Sequence, residues 1–98
     1  MAVTVFLDLK IKSNDVAGSP AVLRSVLTDT RNFDGNLGVD VYTDLADPAH
    51  IVVVERWESE EALNAYQAWR QTPAGASALG SILAGAPSFT RLALAEGV

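Results

Sequence analysis

Between Val3 and Lys12 the apolar residues fall on every second position: Val3, Val5, Leu7, Leu9 and Ile11 alternate with Thr4, Phe6, Asp8, Lys10 and Lys12. A period of two predicts a strand with one strongly apolar face, and Phe6 leaves the opposite face only partly polar. Ser13-Asn14-Asp15 ends that strand as a turn. The period then changes. Ser19-Pro20 reads as an N-cap followed by proline at the first helical position. Val22, Leu23, Val26 and Leu27 supply the apolar stripe of a helix from Ala21 to about Thr30, and Asn32 to Gly35 is a loop.

Alternation returns at Leu37, Val39, Val41 and Thr43, interleaved with Gly38, Asp40 and Tyr42, which predicts a second strand. Asp44 to His50 reads as a loop with Asp47-Pro48 as its turn signal. The β-branched run Ile51-Val52-Val53-Val54, continuing to Trp57, predicts a third strand paired with the second as an antiparallel hairpin. Ser59 is the expected N-cap of the next helix, with Glu60 and Glu61 in a first turn that favours negative charge. Ala62, Tyr66 and Trp69 recur at helical spacing along it.

Thr72-Pro73 repeats the N-cap and proline signal, so the second helix is expected to stop near Gln71 and a further helix to start at Pro73. Leu79, Ile82 and Leu83 anchor that segment, which Gly75 and Gly80 weaken by about 1 kcal/mol each relative to alanine. Gly85 and Pro87 end it. Ser88 to Leu94 predicts a last strand, with Phe89, Arg91 and Ala93 on one face and Thr90, Leu92 and Leu94 on the other. The order β-α-β-β-α-(α)-β is the split βαβ arrangement of an α+β, ferredoxin-like fold: a four-stranded antiparallel sheet with helices on one face, forming a single domain over residues 1–98. Val52 and Val54 are apolar on one side of the third strand, and Ile51, Val53 and Trp57 on the other. A sheet with two apolar faces and helices for one predicts a second layer from elsewhere, most simply a homodimer packed sheet to sheet.

Composition narrows the partners. The chain has 98 residues, 49 % hydrophobic and 19 % charged, with a net charge of −5. Seven basic residues, not clustered, argue against nucleic acid, and the acidic balance against an anionic membrane surface. Without cysteine there is neither a disulfide framework nor a thiol nucleophile. Asp8 inside the N-terminal apolar run, with no preceding positive region, argues against a signal peptide. No segment has the roughly 20 apolar residues of a membrane span. The expected location is the cytoplasm. A lone histidine and dispersed carboxylates lack metal-ligand spacing, and the glycines do not form a phosphate loop.

The run Phe33-Asp34-Gly35-Asn36-Leu37-Gly38-Val39-Asp40-Val41-Tyr42, then Asp47-Pro48, then Val52 to Ala62 with Glu55-Arg56-Trp57 at its centre, resembles the antibiotic biosynthesis monooxygenase domain family. The likeness is closest between Phe33 and Ala62, and the element order extends it over nearly the whole chain. It implies a dimeric α+β barrel and, as in several members, oxygenation of polycyclic phenols or quinols by O₂ with no metal or flavin cofactor. Many members carry a histidine on the second helix at or near the position of Tyr66, and here the only histidine is His50. The haem-degrading branch needs an axial helix histidine and an asparagine on the first strand. This chain has neither, which argues against that branch.

Such oxygenation needs a dry apolar slot and one or two polar groups that hold or accept a proton. Tyr66 and Trp69, three apart on one helix, are the expected catalytic pair, an aromatic wall carrying a hydroxyl and an indole N–H. Trp57, Arg91, Tyr42 and Phe6 are the expected substrate contacts, Arg91 as an anchor for a phenolate. Each has a structural reading too: Tyr66 and Trp69 as core or rim residues, Trp57 as a plug at the sheet end, and Arg91 in an ion pair with Glu55 or Asp40. Arg70 and Arg56 are expected to be solvated, and His50 and Asn64 exposed. The expectation is a cofactor-independent monooxygenase acting on an aromatic, polyketide-like or quinol substrate. The alternative is a non-catalytic or stress-related dimeric barrel that binds small hydrophobic molecules.

Overall fold

The computed structural model describes residues Met1–Val98. Its elements are β1 (Val3–Lys10), α1 (Ser19–Asn32), β2 (Asn36–Asp44), β3 (Asp47–Trp57), α2 (Glu60–Arg70) and β4 (Ser88–Leu92). The strands form one antiparallel sheet in the order β2-β3-β1-β4. This is the α+β ferredoxin-like arrangement that the alternation predicts. Pairing Val5 with Glu55 and Arg91, and Leu7 with Val53 and Phe89, puts these side chains on the helix-covered face.

Two buried clusters hold the helices down. Leu23 and Leu27 of α1 pack on Leu9, Ile11, Val39, Ile51 and Val53. Leu63 and Tyr66 of α2 pack on Val3, Val5 and Trp57. Each fully buried large apolar side chain contributes about 1.5–3 kcal/mol. The α2 start follows the sequence: Ser59 Oγ accepts the Ala62 N–H at 3.1 Å, with Glu60 and Glu61 in the first turn. In α1 Ser19 is not the expected N-cap: its hydroxyl donates backwards to the Val16 carbonyl at 2.8 Å, so Ser19 is the first helical residue and Gly18 takes the cap position.

The structure also corrects two of the expected element boundaries. The loop over Asp44 to His50 is a tight turn, because β3 starts at Asp47, pairs with Asp44 and runs on beside β1 up to Lys10–His50. Asp44 Oδ1 accepts the Ala46 N–H at 2.8 Å and fixes that turn. The further helix from Pro73 is replaced by two 3₁₀ turns, Pro73–Gly75 and Leu79–Ile82. Gly75 explains part of this. A Cβ there would lie 2.0 Å from the Trp69 carbonyl oxygen, so the chain folds back onto the end of α2 where only glycine fits. Gly35, at φ 90°, similarly brings the start of β2 against α2, where a Cβ would meet Ala62 Cβ at 2.5 Å.

The other sheet face has no helix. Phe6, Tyr42 and Leu92 are exposed there beside half-buried Val52 and Val54. Its polar end holds His50, whose Nε2 is 2.9 Å from Asp8 Oδ1 and whose Nδ1 is 2.9 Å from Asp44 Oδ2. His50 is therefore clipped between two carboxylates and not free in solvent, and Lys10 pairs with Asp47 alongside.

Candidate functional site

A cavity of about 680 Å³ lies between the covered sheet face, the two helices and the returning segment before β4. Leu7 and Glu55 form its floor, Val26 and Leu27 one wall, and Tyr66, Gln67 and Arg70 another, with Leu79 and Phe89 closing it. The size suits a small aromatic molecule, and the lining is mostly apolar with a few convergent polar groups.

Glu55 is the only charged residue on the inward face of β3, between Val53 and Trp57, and is 3 % exposed. Its Oε1 accepts the Trp57 indole N–H at 3.0 Å, and its other oxygen takes no hydrogen bond. Burial pushes the Glu55 carboxyl above the ordinary carboxylate range, opposed by the indole hydrogen bond and by the positive charge of Arg70. A carboxylate raised in this way, facing an apolar cavity, is suited to taking a proton from a weakly acidic substrate.

Arg70 reaches into the structure and is not solvated. Its Nε donates to the Tyr66 hydroxyl at 2.7 Å, and Nη1 to the Gly75 carbonyl at 3.1 Å. Nη2 donates to the Val26 carbonyl at 2.9 Å and to Thr30 Oγ1 at 3.1 Å. Spacing of four along α2 puts Tyr66 and Arg70 on one stripe, and the guanidinium also stacks near the Tyr66 and Trp69 rings. Tyr66 and Thr30 hydroxyls are 2.7 Å apart. Because Thr30 also bonds the Val26 carbonyl at 3.4 Å, the Tyr66 hydroxyl is left to donate to Thr30 while accepting from Arg70.

The sequence-expected residues divide into four groups. Tyr66 lines the cavity. Trp69 and Trp57 stand behind it: Trp57 is fully buried with its centroid 4.9 Å from the Tyr66 ring, and Trp69 packs on Phe33 at 5.6 Å. Arg91 lies at the α2 side, where it binds Gln67 Oε1 at 2.5 Å and approaches Glu60 at 3.8 Å, in place of the expected Glu55 or Asp40. Tyr42 and Phe6 lie on the opposite, helix-free face, remote from this cavity. Arg56 pairs with Asp40 at 3.0 Å on that same face. Sequence reasoning missed Glu55, Arg70, Thr30 and Phe33. The signal for Glu55 was present: one acid at an inward position of an otherwise apolar alternation.

A helix-roofed antiparallel sheet with a cavity under its second helix defines a small ferredoxin-like domain with room for a small-molecule ligand. The antibiotic biosynthesis monooxygenase family model matches residues 2–78, and the chain belongs to that family. No curated protein matches the chain. Among solved structures it is similar to Rv0793 from Mycobacterium tuberculosis, with 25 % identity, TM-score 0.78 and all of both chains covered. It is also similar to SnoaB, a cofactor-independent oxygenase from Streptomyces nogalater, with 13 % identity, TM-score 0.82, and 99 % of this chain and 96 % of that one covered. A conserved protein from Methanosarcina mazei Go1 is 20 % identical with TM-score 0.79, over 94 % of this chain and 91 % of that one. No helix is long and apolar enough to cross a membrane.

Proposed function

We propose that this chain is a cofactor-independent monooxygenase that oxidises an aromatic, polyketide-like or quinol substrate with O₂ in the cavity under α2. The observation that carries the reading is Glu55, a buried carboxyl with a raised pKa and a free oxygen in a mostly apolar cavity. In this reading Glu55 takes the acidic proton of a phenol or anthrone. The substrate anion then passes one electron to O₂, the two radicals combine, Glu55 returns its proton to the peroxide anion, and loss of water from the hydroperoxide leaves a quinone. Tyr66 supplies the aromatic wall, Trp69 and Trp57 hold that ring in place, and Arg70 balances the anionic charge. Arg91 orients Gln67 at the cavity edge. Family membership supports the reaction class, and the likeness to SnoaB is consistent with it at the level of fold.

The functional unit in this reading is a cytoplasmic homodimer packed sheet to sheet, supported by the uncovered apolar strip of Phe6, Tyr42, Val52, Val54 and Leu92. Phe6 and Tyr42 then serve the interface. The test is O₂ consumption by purified, metal-free protein across a panel of anthrones and hydroquinones, with Glu55→Gln as the comparison. Turnover lost in the variant supports the proposal, whereas no turnover across the panel overturns it.

One observation favours a second reading, a non-catalytic binding protein for small hydrophobic molecules. The Tyr66 hydroxyl already donates to Thr30 and accepts from Arg70, so it is committed to the fold. Ligands that raise the melting temperature and are recovered unchanged under oxygen would select this reading.

A further inference from the structure

A second cleft, of about 450 Å³, opens on the other side of α1 between that helix and the β2–β3 hairpin. Pro20, Leu23, Arg24, Leu27 and Arg31 recur at helical spacing and line one wall, and Val41, Thr43, Pro48 and Ile51 line the other. Leu27 also borders the α2 cavity, so the two spaces are separated by one layer of side chains.

The charges of this cleft run against those of the chain. The protein has twelve acidic residues and seven basic ones, yet two arginines and no carboxylate line this cleft. The ion pairs of the fold use Lys10, His50, Arg56 and Arg91, and leave both arginines out. The Arg24 side chain makes no hydrogen bond, only its backbone carbonyl accepting from Thr28. Arg31 uses one N–H, donated from Nη2 to the Val39 carbonyl at 3.0 Å, and its remaining donors are free. Seven residues apart, Arg24 and Arg31 stand two helical turns apart on one stripe of α1, beside the buried surface of Leu23, Leu27 and Ile51. An apolar floor flanked by one uncommitted guanidinium, Arg24, and one with donors to spare, Arg31, matches a planar anion on an apolar body.

We infer that the cleft between α1 and the β2–β3 hairpin is a second ligand site, for a small amphipathic monoanion such as an aryl carboxylate, whose ring rests on Leu23, Leu27 and Ile51 while Arg24 and Arg31 hold its carboxylate. Thr43 adds a hydroxyl at the cleft wall. This site is independent of the proposed oxygenation.

The test is titration of isotope-labelled protein with 2-naphthoate, its neutral amide 2-naphthamide, and inorganic phosphate, followed by NMR shifts and calorimetry. Naphthoate should perturb Leu23, Val41 and Ile51, and bind about tenfold or more tighter than the amide, as expected for charge-assisted hydrogen bonds. Arg24→Ala, which removes no hydrogen bond of the fold, should weaken naphthoate and leave the amide unchanged, and R24A/R31A should weaken it further. The inference is overturned if naphthoate does not bind, if acid and amide bind alike, or if R24A has no effect. It is also overturned if the perturbed residues are Tyr66, Gln67 and Phe89, or if phosphate competes on equal terms.

Discussion

Tyr66→Phe isolates the network under α2 with the least disturbance to packing. Tyr66 is 8 % exposed and Thr30 is fully buried. The phenyl ring keeps its edge contact with Phe33 at 5.3 Å and its tilted contact with Trp57, so the change removes one oxygen and leaves no cavity of consequence. That oxygen accepts from a guanidinium and donates to a threonine. A neutral buried hydrogen bond is worth about 1 kcal/mol, and one to a charged group about 1.5–3 kcal/mol. Arg70 retains the carbonyls of Val26 and Gly75 together with Thr30, so its charge is not stranded. The expected loss is therefore about 2–3 kcal/mol, toward the lower end of the summed range. In a domain of this size that lowers the melting temperature by about 10–20 °C.

Thr30→Val should cost about 1–2 kcal/mol, since it removes the hydroxyl at nearly constant volume. The double variant should lose less than the sum, with a coupling of about 1 kcal/mol between the two hydroxyls. Urea unfolding of the four proteins, followed by circular dichroism and tryptophan fluorescence, measures the cycle. Additivity within about 0.3–0.5 kcal/mol would mean that the hydroxyls do not act as a pair. A Tyr66→Phe protein as stable as the parent would refute the network altogether.

Glu55→Gln should stabilise the fold at neutral and alkaline pH, because the amide keeps an acceptor for Trp57 and carries no buried charge. The sign follows from the raised carboxyl: stability is greatest below the ordinary 4.5 and falls as pH rises through the folded value, by about 1.4 kcal/mol for each unit of displacement. Equal melting temperatures of the two proteins at pH 8 would contradict this. His50→Gln should remove a stabilisation with opposite edges. The His50 pKa is raised above its ordinary 6.5, first by Asp44 and then by Asp8, so its contribution is full below 6.5 and lost as pH climbs through the folded value. Asp44 is lowered from 3.8, mainly by His50, so its part disappears as pH falls through its folded value. The wild-type advantage in melting temperature should thus peak between these limits and vanish in mild alkali, and a difference independent of pH excludes the clip. Val54→Lys places a charge at the centre of the helix-free face and should convert the proposed dimer to a monomer by light scattering. A parent protein already monomeric at micromolar concentration sinks the sheet-to-sheet arrangement.

Alternation along β1 and β3 made the sheet readable, because a period of two survives any tertiary context that buries one face. The Ser59 cap likewise acts locally, whereas the helix at Ser19-Pro20 starts one residue early, with Gly18 at the cap position and no side-chain cap bond. What was unreadable depends on close approaches between distant segments. Thr72-Pro73 starts a helical turn locally, yet Gly75 must pass against the Trp69 carbonyl, so the turn stops at Gly75. Arg70 looks like a solvated helix-end cation until that fold-back supplies the Gly75 carbonyl and α1 supplies Val26 and Thr30. Glu55 was hidden differently. Its inward position was legible from Val53 and Trp57, but the apolar reading of the strand passed over the one acid that breaks it.

Glu55 and Arg70 also explain each other. A lone carboxylate under α2 would be driven strongly toward its neutral form by burial, and a lone guanidinium beside it would be equally misplaced. Arg70 meets its need for acceptors with three neutral oxygens and the Tyr66 hydroxyl, and no carboxylate bonds to it directly. Its charge therefore reaches Glu55 through space, enough to moderate the rise in pKa without locking the carboxyl in an ion pair. Glu55 keeps an oxygen that can receive a proton, and the fold keeps a cation that favours the resulting anion. Removing the Arg70 charge, as Arg70→Met would, should push the Glu55 carboxyl further up. A general base must be ionised to act, so the acid limb of any turnover should move to higher pH with it. A pH profile unmoved by that variant would show that the two charges do not communicate.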